Sequence, residues 1–160
     1  MAAPRTLHLP DADDTDAVAQ AIAARLRPGD CLLLDGPVGA GKTAFARAAI
    51  LARLATAGRP PEDVPSPTFT LVQTYDAGAF EIWHADLYRL TDPSDVLELG
   101  LDDALRDAVC LIEWPDRLGP DAPADALRLS FQPTDPGRTL TVTGPPDRLD
   151  RLLPQPLETR

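Results

Sequence analysis

Residues 36–43 read Gly-Pro-Val-Gly-Ala-Gly-Lys-Thr, and they join two stretches of opposite character. Cys31 to Asp35 (CLLLD) is a short apolar run of the kind a buried strand shows. Ala44 to Ala55 is rich in Ala and Leu and free of Gly and Pro, which reads as a helix. A glycine loop between a buried strand and a helix is a Walker A element, G-x-x-x-x-G-K-T, in its proper context. This one feature fixes the fold class to α/β, because such a loop sits at the end of a strand inside a parallel or mixed sheet.

The residue types follow from the chemistry of phosphate. Glycines at 36, 39 and 41 let the backbone curl, so that N–H groups from Gly36, Val38, Gly39, Ala40, Gly41, Lys42 and Thr43 can face one concavity. The positive end of the following helix points to the same place. Lys42 supplies a compact ammonium for the β- and γ-phosphates, and the Thr43 hydroxyl is a ligand for Mg²⁺. Composition sharpens the reading. Of 15 basic residues 14 are Arg, and Lys42 is the single Lys. A guanidinium is a broad planar fork that cannot replace a point charge inside a tight glycine cradle.

Such a site also needs a carboxylate at the end of a neighbouring strand. Two are available: Glu113, after the apolar run Val109 to Ile112, and Asp86, at the end of the run containing Trp83 and His84. The pattern alone leaves open which of them touches the metal. The chain contains no Asn, so it cannot carry the Asn-Lys-x-Asp element that reads guanine. ATP is therefore expected in preference to GTP.

Around this centre the periodicities predict a first helix over 13–26 with Asp13 or Asp14 as N-cap, and a Pro-rich loop over 57–67. Strands are expected at 69–75 and 80–87 around a turn at 76–79. Asp92-Pro93-Ser94-Asp95 opens a short helix closed by Gly100, and a second acidic turn spans 102–107. A strand over 109–114 and a closing hairpin, 127–131 with 140–142 around the turn at 133–137, complete the domain. The expected architecture is a three-layer P-loop NTPase-like α/β fold, a mixed sheet with helices on both faces. One domain covers 1–144, and 145–160 form a C-terminal tail expected to fray.

The totals exclude several roles. The formal charge is −10, with seven basic and nine acidic residues in 1–80 against eight and sixteen in 81–160. Binding nucleic acid by its backbone needs a cationic surface, so no strong direct contact with RNA is expected. No segment nears the roughly 20 apolar residues of a membrane span, nor does the start resemble a signal peptide, and a cytoplasmic protein is expected. Cys31 and Cys110 lie in apolar runs and read as core thiols.

GPVGAGKT, SPTFTLVQTYD (66–76), HADLYRL (84–90), ELGLDDAL (98–105) and LIEWPDRLG (111–119), in this order, resemble the TsaE family over about residues 7–144. These are small P-loop ATPases of bacterial threonylcarbamoyladenosine synthesis on tRNA. The resemblance implies a weak, Mg²⁺-dependent ATPase that serves the TsaB and TsaD proteins, with ATP and Mg²⁺ as its cofactors. By the same resemblance Lys42 and Asp86 are catalytic, Asp86 supporting the attacking water. Thr43 and Glu113 hold the metal. Ser66 or Thr68 senses the γ-phosphate, and Arg138, with Thr15, lies near the base. His84 either orients Asp86 or is a satisfied buried histidine; Arg89 is expected in a salt bridge. Trp114, Tyr88 and Phe69 are expected as core or interface aromatics. The loop alone is also compatible with a small-molecule P-loop kinase, although no Arg-rich lid is visible, and with a non-hydrolytic ATP-binding adaptor.

Overall fold

The computed structural model describes residues 4–90, 92 and 94–153. Pro93, expected at the first position of a short helix, lies outside the described residues. Among the described residues seven strands make one mixed sheet: β1 (Arg5–Leu9), β2 (Cys31–Asp35), β3 (Val72–Asp76), β4 (Glu81–Asp86), β5 (Val109–Glu113), β6 (Leu127–Pro133) and β7 (Arg138–Thr143). Their order across the sheet is β1-β7-β6-β2-β5-β4-β3. The inner strands β4, β5, β2 and β6 run parallel to one another, and β3 on one side and β7 with β1 on the other close the sheet antiparallel.

The apolar runs of β2 and β5 are continuous because both faces of these central strands are covered. Leu32, Leu34, Val109 and Leu111 face the layer built by α1 (Ala12–Ala23), α2 (Lys42–Thr56) and α5 (Pro146–Leu152). Cys31, Leu33, Cys110 and Ile112 face the opposite layer, which includes α4 (Leu101–Asp107) behind the short α3 (Asp95–Leu99), and the 3₁₀ segment Pro115–Asp121. The two thiols are buried and unpaired by disulfide, and burial pushes Cys110 up to about 12. The three-layer α/β architecture read from the sequence is the one found.

Several local expectations are corrected. The first helix is capped by Asp11, whose side chain accepts from the Asp14 N–H, and it ends at Ala23 instead of Leu26. Strand β1 was not foreseen. Its half-buried pattern over five residues is too short to register, and it exists because β7 offers an edge to pair with. Phe69, expected to start a strand, lies in the turn before β3.

Of the segment after Gly144, expected to fray, residues 146–152 instead form α5, with Leu149, Leu152 and Leu153 buried in the core, and 154–160 lie outside the described residues. A clamp at the foot of β2 fixes it. Asp30 is buried, its carboxylate accepts from both Arg151 guanidinium nitrogens and from the Arg27 N–H, and Arg148 approaches to 3.6 Å. Arg5 adds bonds to Asp150 and to the Leu153 carbonyl. Among the described residues no helix is long and apolar enough to cross a membrane.

Candidate active site

Parallel pairing brings the chemistry to one edge. The register sets Leu34 beside Glu113 and Asp86 beside Glu113, so β2, β4 and β5 end together. The glycine loop leaves β2 at that edge, and α2 departs from it with Gly41 (φ +109°) as N-cap. This is the crevice at strand carboxyl ends where open α/β sheets bind ligands. Here it is a cleft of about 540 Å³.

Val38, Gly39, Gly41, Lys42 and Thr43 line the cleft. Gly36 and Ala40 do not. Ala40 is buried beneath the loop, and the Gly36 carbonyl accepts from the Lys42 ammonium. That ammonium also rests 3.5 Å from the centroid of the Trp114 ring, a cation–π contact. Burial lowers the Lys42 pKa from its ordinary value; Glu113, Asp86 and Asp35 act in the opposite direction.

Thr43 Oγ1 donates to Glu113, at 2.8 Å from Oε1 and 3.1 Å from Oε2. Asp86 is held from three sides. Its Oδ2 lies 3.1 Å from Thr68 Oγ1 and 3.4 Å from Ser66 Oγ, and its Oδ1 accepts from the Tyr88 N–H at 3.0 Å. Both carboxylates are almost fully buried. Strained backbone flanks them. Trp114, directly after Glu113, has φ +58°, and Leu71 (φ +69°) accepts the Asp86 N–H on its carbonyl. Positive φ at bulky residues costs on the order of 1–3 kcal/mol and persists only where surrounding contacts impose it.

Arg138 reaches the cleft from the start of β7, after the turn at 133–137. A Cβ at Gly137 would lie 2.1 Å from the Leu9 carbonyl oxygen, so only glycine lets that turn pass β1. The Arg138 guanidinium lies against Gly41, where an added Cβ would sit 1.8 Å from Nη1. Thr15 does not line the cleft. It is buried, with its hydroxyl 3.5 Å from the Asp11 carbonyl oxygen. Arg89 stacks over Phe69 at 4.9 Å, and among the described residues it makes no salt bridge of the expected kind. Val38, which lines the cleft, and Phe69 are 77% and 83% exposed, so Phe69 is not a core aromatic.

Sequence reasoning missed two contacts of the site. His84 bonds Glu113, with Nε2 2.7 Å from Oε2, and has no bond to Asp86. Trp114 serves as the platform for Lys42. Their positions in HADLYRL and LIEWPD carried a signal of proximity, but strand periodicity cannot say which carboxylate a neighbouring strand presents.

A glycine loop at the end of a central parallel strand, a helix leaving from it and two carboxylates on adjacent strand ends together define an α/β protein of P-loop-like architecture. Residues 9–140 match the family described as "Threonylcarbamoyl adenosine biosynthesis protein TsaE". The tRNA threonylcarbamoyladenosine biosynthesis protein TsaE of Bacillus subtilis is 34% identical over 142 residues, 88% of this chain and 85% of that protein. The TsaE protein of Rickettsia conorii is 42% identical over 104 residues, 65% of this chain and 57% of that protein. The chain therefore spans little more than half the length of the Rickettsia protein. The crystal structure of Bacillus subtilis YdiB superposes with a TM-score of 0.74 at 28% identity, covering 95% of this chain and 93% of that one. The chain belongs to the TsaE family, whose members are the tRNA threonylcarbamoyladenosine biosynthesis proteins.

Proposed function

We propose that this chain is a Mg²⁺-dependent ATPase that supports the TsaB and TsaD proteins in forming threonylcarbamoyladenosine in tRNA. The observation that carries the reading is the convergence in one cleft of Lys42, the Thr43–Glu113 pair and Asp86. The donor set fits Mg²⁺, because a hydroxyl and two buried carboxylates are hard oxygen ligands. Thr43 and Glu113 would hold the ion, directly or through water, and when bound it supplies charge neutralisation at the phosphate oxygens.

The chain's own residues do the rest. The loop amides of Val38, Gly39, Gly41, Lys42 and Thr43 and the Lys42 ammonium bind the phosphates. Lys42 is held beforehand by the Gly36 carbonyl and the Trp114 face, so its charge is in place before nucleotide arrives. Asp86 orients the attacking water or accepts its proton. Its bonds to Ser66 and Thr68 tie that role to the loop that would sense the γ-phosphate. Arg138 lies against the nucleotide side of the loop.

Lys42 and Arg138 are the two cations among the described lining residues. Catalysis by positioning and charge is therefore incomplete in the isolated chain, and turnover alone is slow. The partners complete the cycle. Nucleotide and RNA duties separate accordingly: the chain, at −10, does not grip the tRNA.

The test is ATP turnover of the wild type and Lys42→Arg, with and without the TsaB and TsaD proteins, read as phosphate release with no acceptor added. Lys42→Arg should lose on the order of 10²-fold, the usual loss for one charge-stabilising donor, and the partners should change the wild-type rate. Equal rates for the two variants would overturn the phosphate site. Indifference to the partners would overturn the assigned role, and release at background without acceptor would favour a kinase.

A further inference from the structure

We infer that His84 is a positioning residue for Glu113, and through it for the divalent cation; the inference rests on the Mg²⁺ reading above. His84 is fully buried on β4, two residues before Asp86. The parallel register places it beside Leu111, two residues before Glu113 on β5. From there its imidazole reaches Glu113 Oε2 at 2.7 Å.

The direction of the bond follows from donor and acceptor inventory. A carboxylate only accepts, so Nε2 carries the proton and donates. In the neutral ring Nδ1 is then an acceptor. It has no hydrogen-bond partner among the described residues, and the opposite neutral tautomer would bury an unsatisfied N–H instead, the rarer and costlier defect.

Glu113 thus has two protein donors with different duties. Thr43 Oγ1 spends its one proton on the carboxylate and keeps its lone pairs for a cation. Among the described residues Glu113 is the one cleft-lining side chain that His84 hydrogen-bonds, while Asp86 is held by Ser66, Thr68 and the Tyr88 amide. The work of His84 is confined to fixing the rotation of the Glu113 carboxylate. A carboxylate held on one side by an immobile buried donor loses less freedom when it binds a metal, which is the general reason that partners of metal-ligating groups tune affinity.

The experiment is equilibrium binding of a fluorescent ATP analogue to the full chain across a Mg²⁺ titration. The proteins compared are the wild type, His84→Leu, His84→Gln and His84→Asn. His84→Leu should raise the Mg²⁺ midpoint roughly 10–100-fold, the usual cost of losing such a partner, while metal-free nucleotide affinity stays within about twofold. Gln, whose amide nitrogen falls near the position of Nε2, should recover most of the loss; Asn is too short and should not. Nitrogen NMR of the wild-type imidazole should find the proton on Nε2.

An unchanged midpoint in Leu and Asn, a Gln variant no better than Leu, equal loss of metal-free binding, or a proton on Nδ1 would each overturn the role. If the Leu variant does not fold, the Gln–Asn comparison and the wild-type NMR decide. Wild-type binding that ignores Mg²⁺ would instead overturn the metal reading itself, which separates the two failures.

Discussion

Asp30→Ala should loosen helix α5 without touching the cleft. Asp30 precedes β2, at the opposite end of that strand from the glycine loop. Its carboxylate takes 3.0 Å and shorter bonds from Arg151, a 2.9 Å bond from the Arg27 amide and a 3.6 Å approach from Arg148. Removing one member of a buried ion pair costs about 3–5 kcal/mol when the remaining charge is trapped. Here the side chains of Arg148 and Arg151 are 24% and 23% exposed and their guanidinium groups can turn to water, whereas the acid is 1% exposed. That discount brings the expected loss to about 2–3 kcal/mol. For a chain of this size it lowers Tm by about 5–10 °C. Urea and thermal denaturation measure the loss, and hydrogen exchange should show residues 146–152 opening first. Arg151→Ala should cost less, because Arg148 remains. Nucleotide affinity should stay unchanged in both. A loss below about 0.5 kcal/mol, the level of an exposed pair, would refute the clamp.

Two further outcomes concern the loop. Gly41→Ala places a Cβ 1.8 Å from Arg138 Nη1 at φ +109°, so the arginine must leave and the helix start must strain. Nucleotide affinity should fall at least about tenfold, with about 1–3 kcal/mol lost in denaturation, and an unaffected variant would refute the packing of Arg138 on the loop. Because burial lowers the Lys42 pKa, nucleotide affinity in the wild type should decline with rising pH before the ordinary 10.5 of lysine is reached. Between the lowered folded value and 10.5 the unfolded chain binds more protons. This group's contribution to folding therefore rises with pH there, and unfolding through Lys42 cannot mimic the decline. Affinity that is flat to pH 10.5 would refute it.

The sequence alone determined the centre of this molecule. A glycine loop must curl to present its amides, a point charge must stand at position 42, and buried parallel strands must read as unbroken apolar runs. Residues 31–43 and 109–113 therefore announce strand, loop, helix and strand without help from the rest of the chain. Local hydroxyl and turn chemistry likewise made the β3–β4 and β6–β7 hairpins legible.

What tertiary structure decided was pairing. Register between β4 and β5 chose Glu113 over Asp86 as the partner of both Thr43 and His84, and no periodicity encodes the neighbour across a strand. The packing of Lys42 on Trp114, a residue held at positive φ, likewise joins positions far apart in the chain. Strand β1 and helix α5 are short segments whose own propensity is weak. They are ordered by an open edge at β7 and by a buried acid at residue 30, both far away in the chain. Local sequence fixes what a segment can form where its own backbone or charge chemistry demands it; where the stabilising partner is distant, only the assembled fold supplies the free energy that decides.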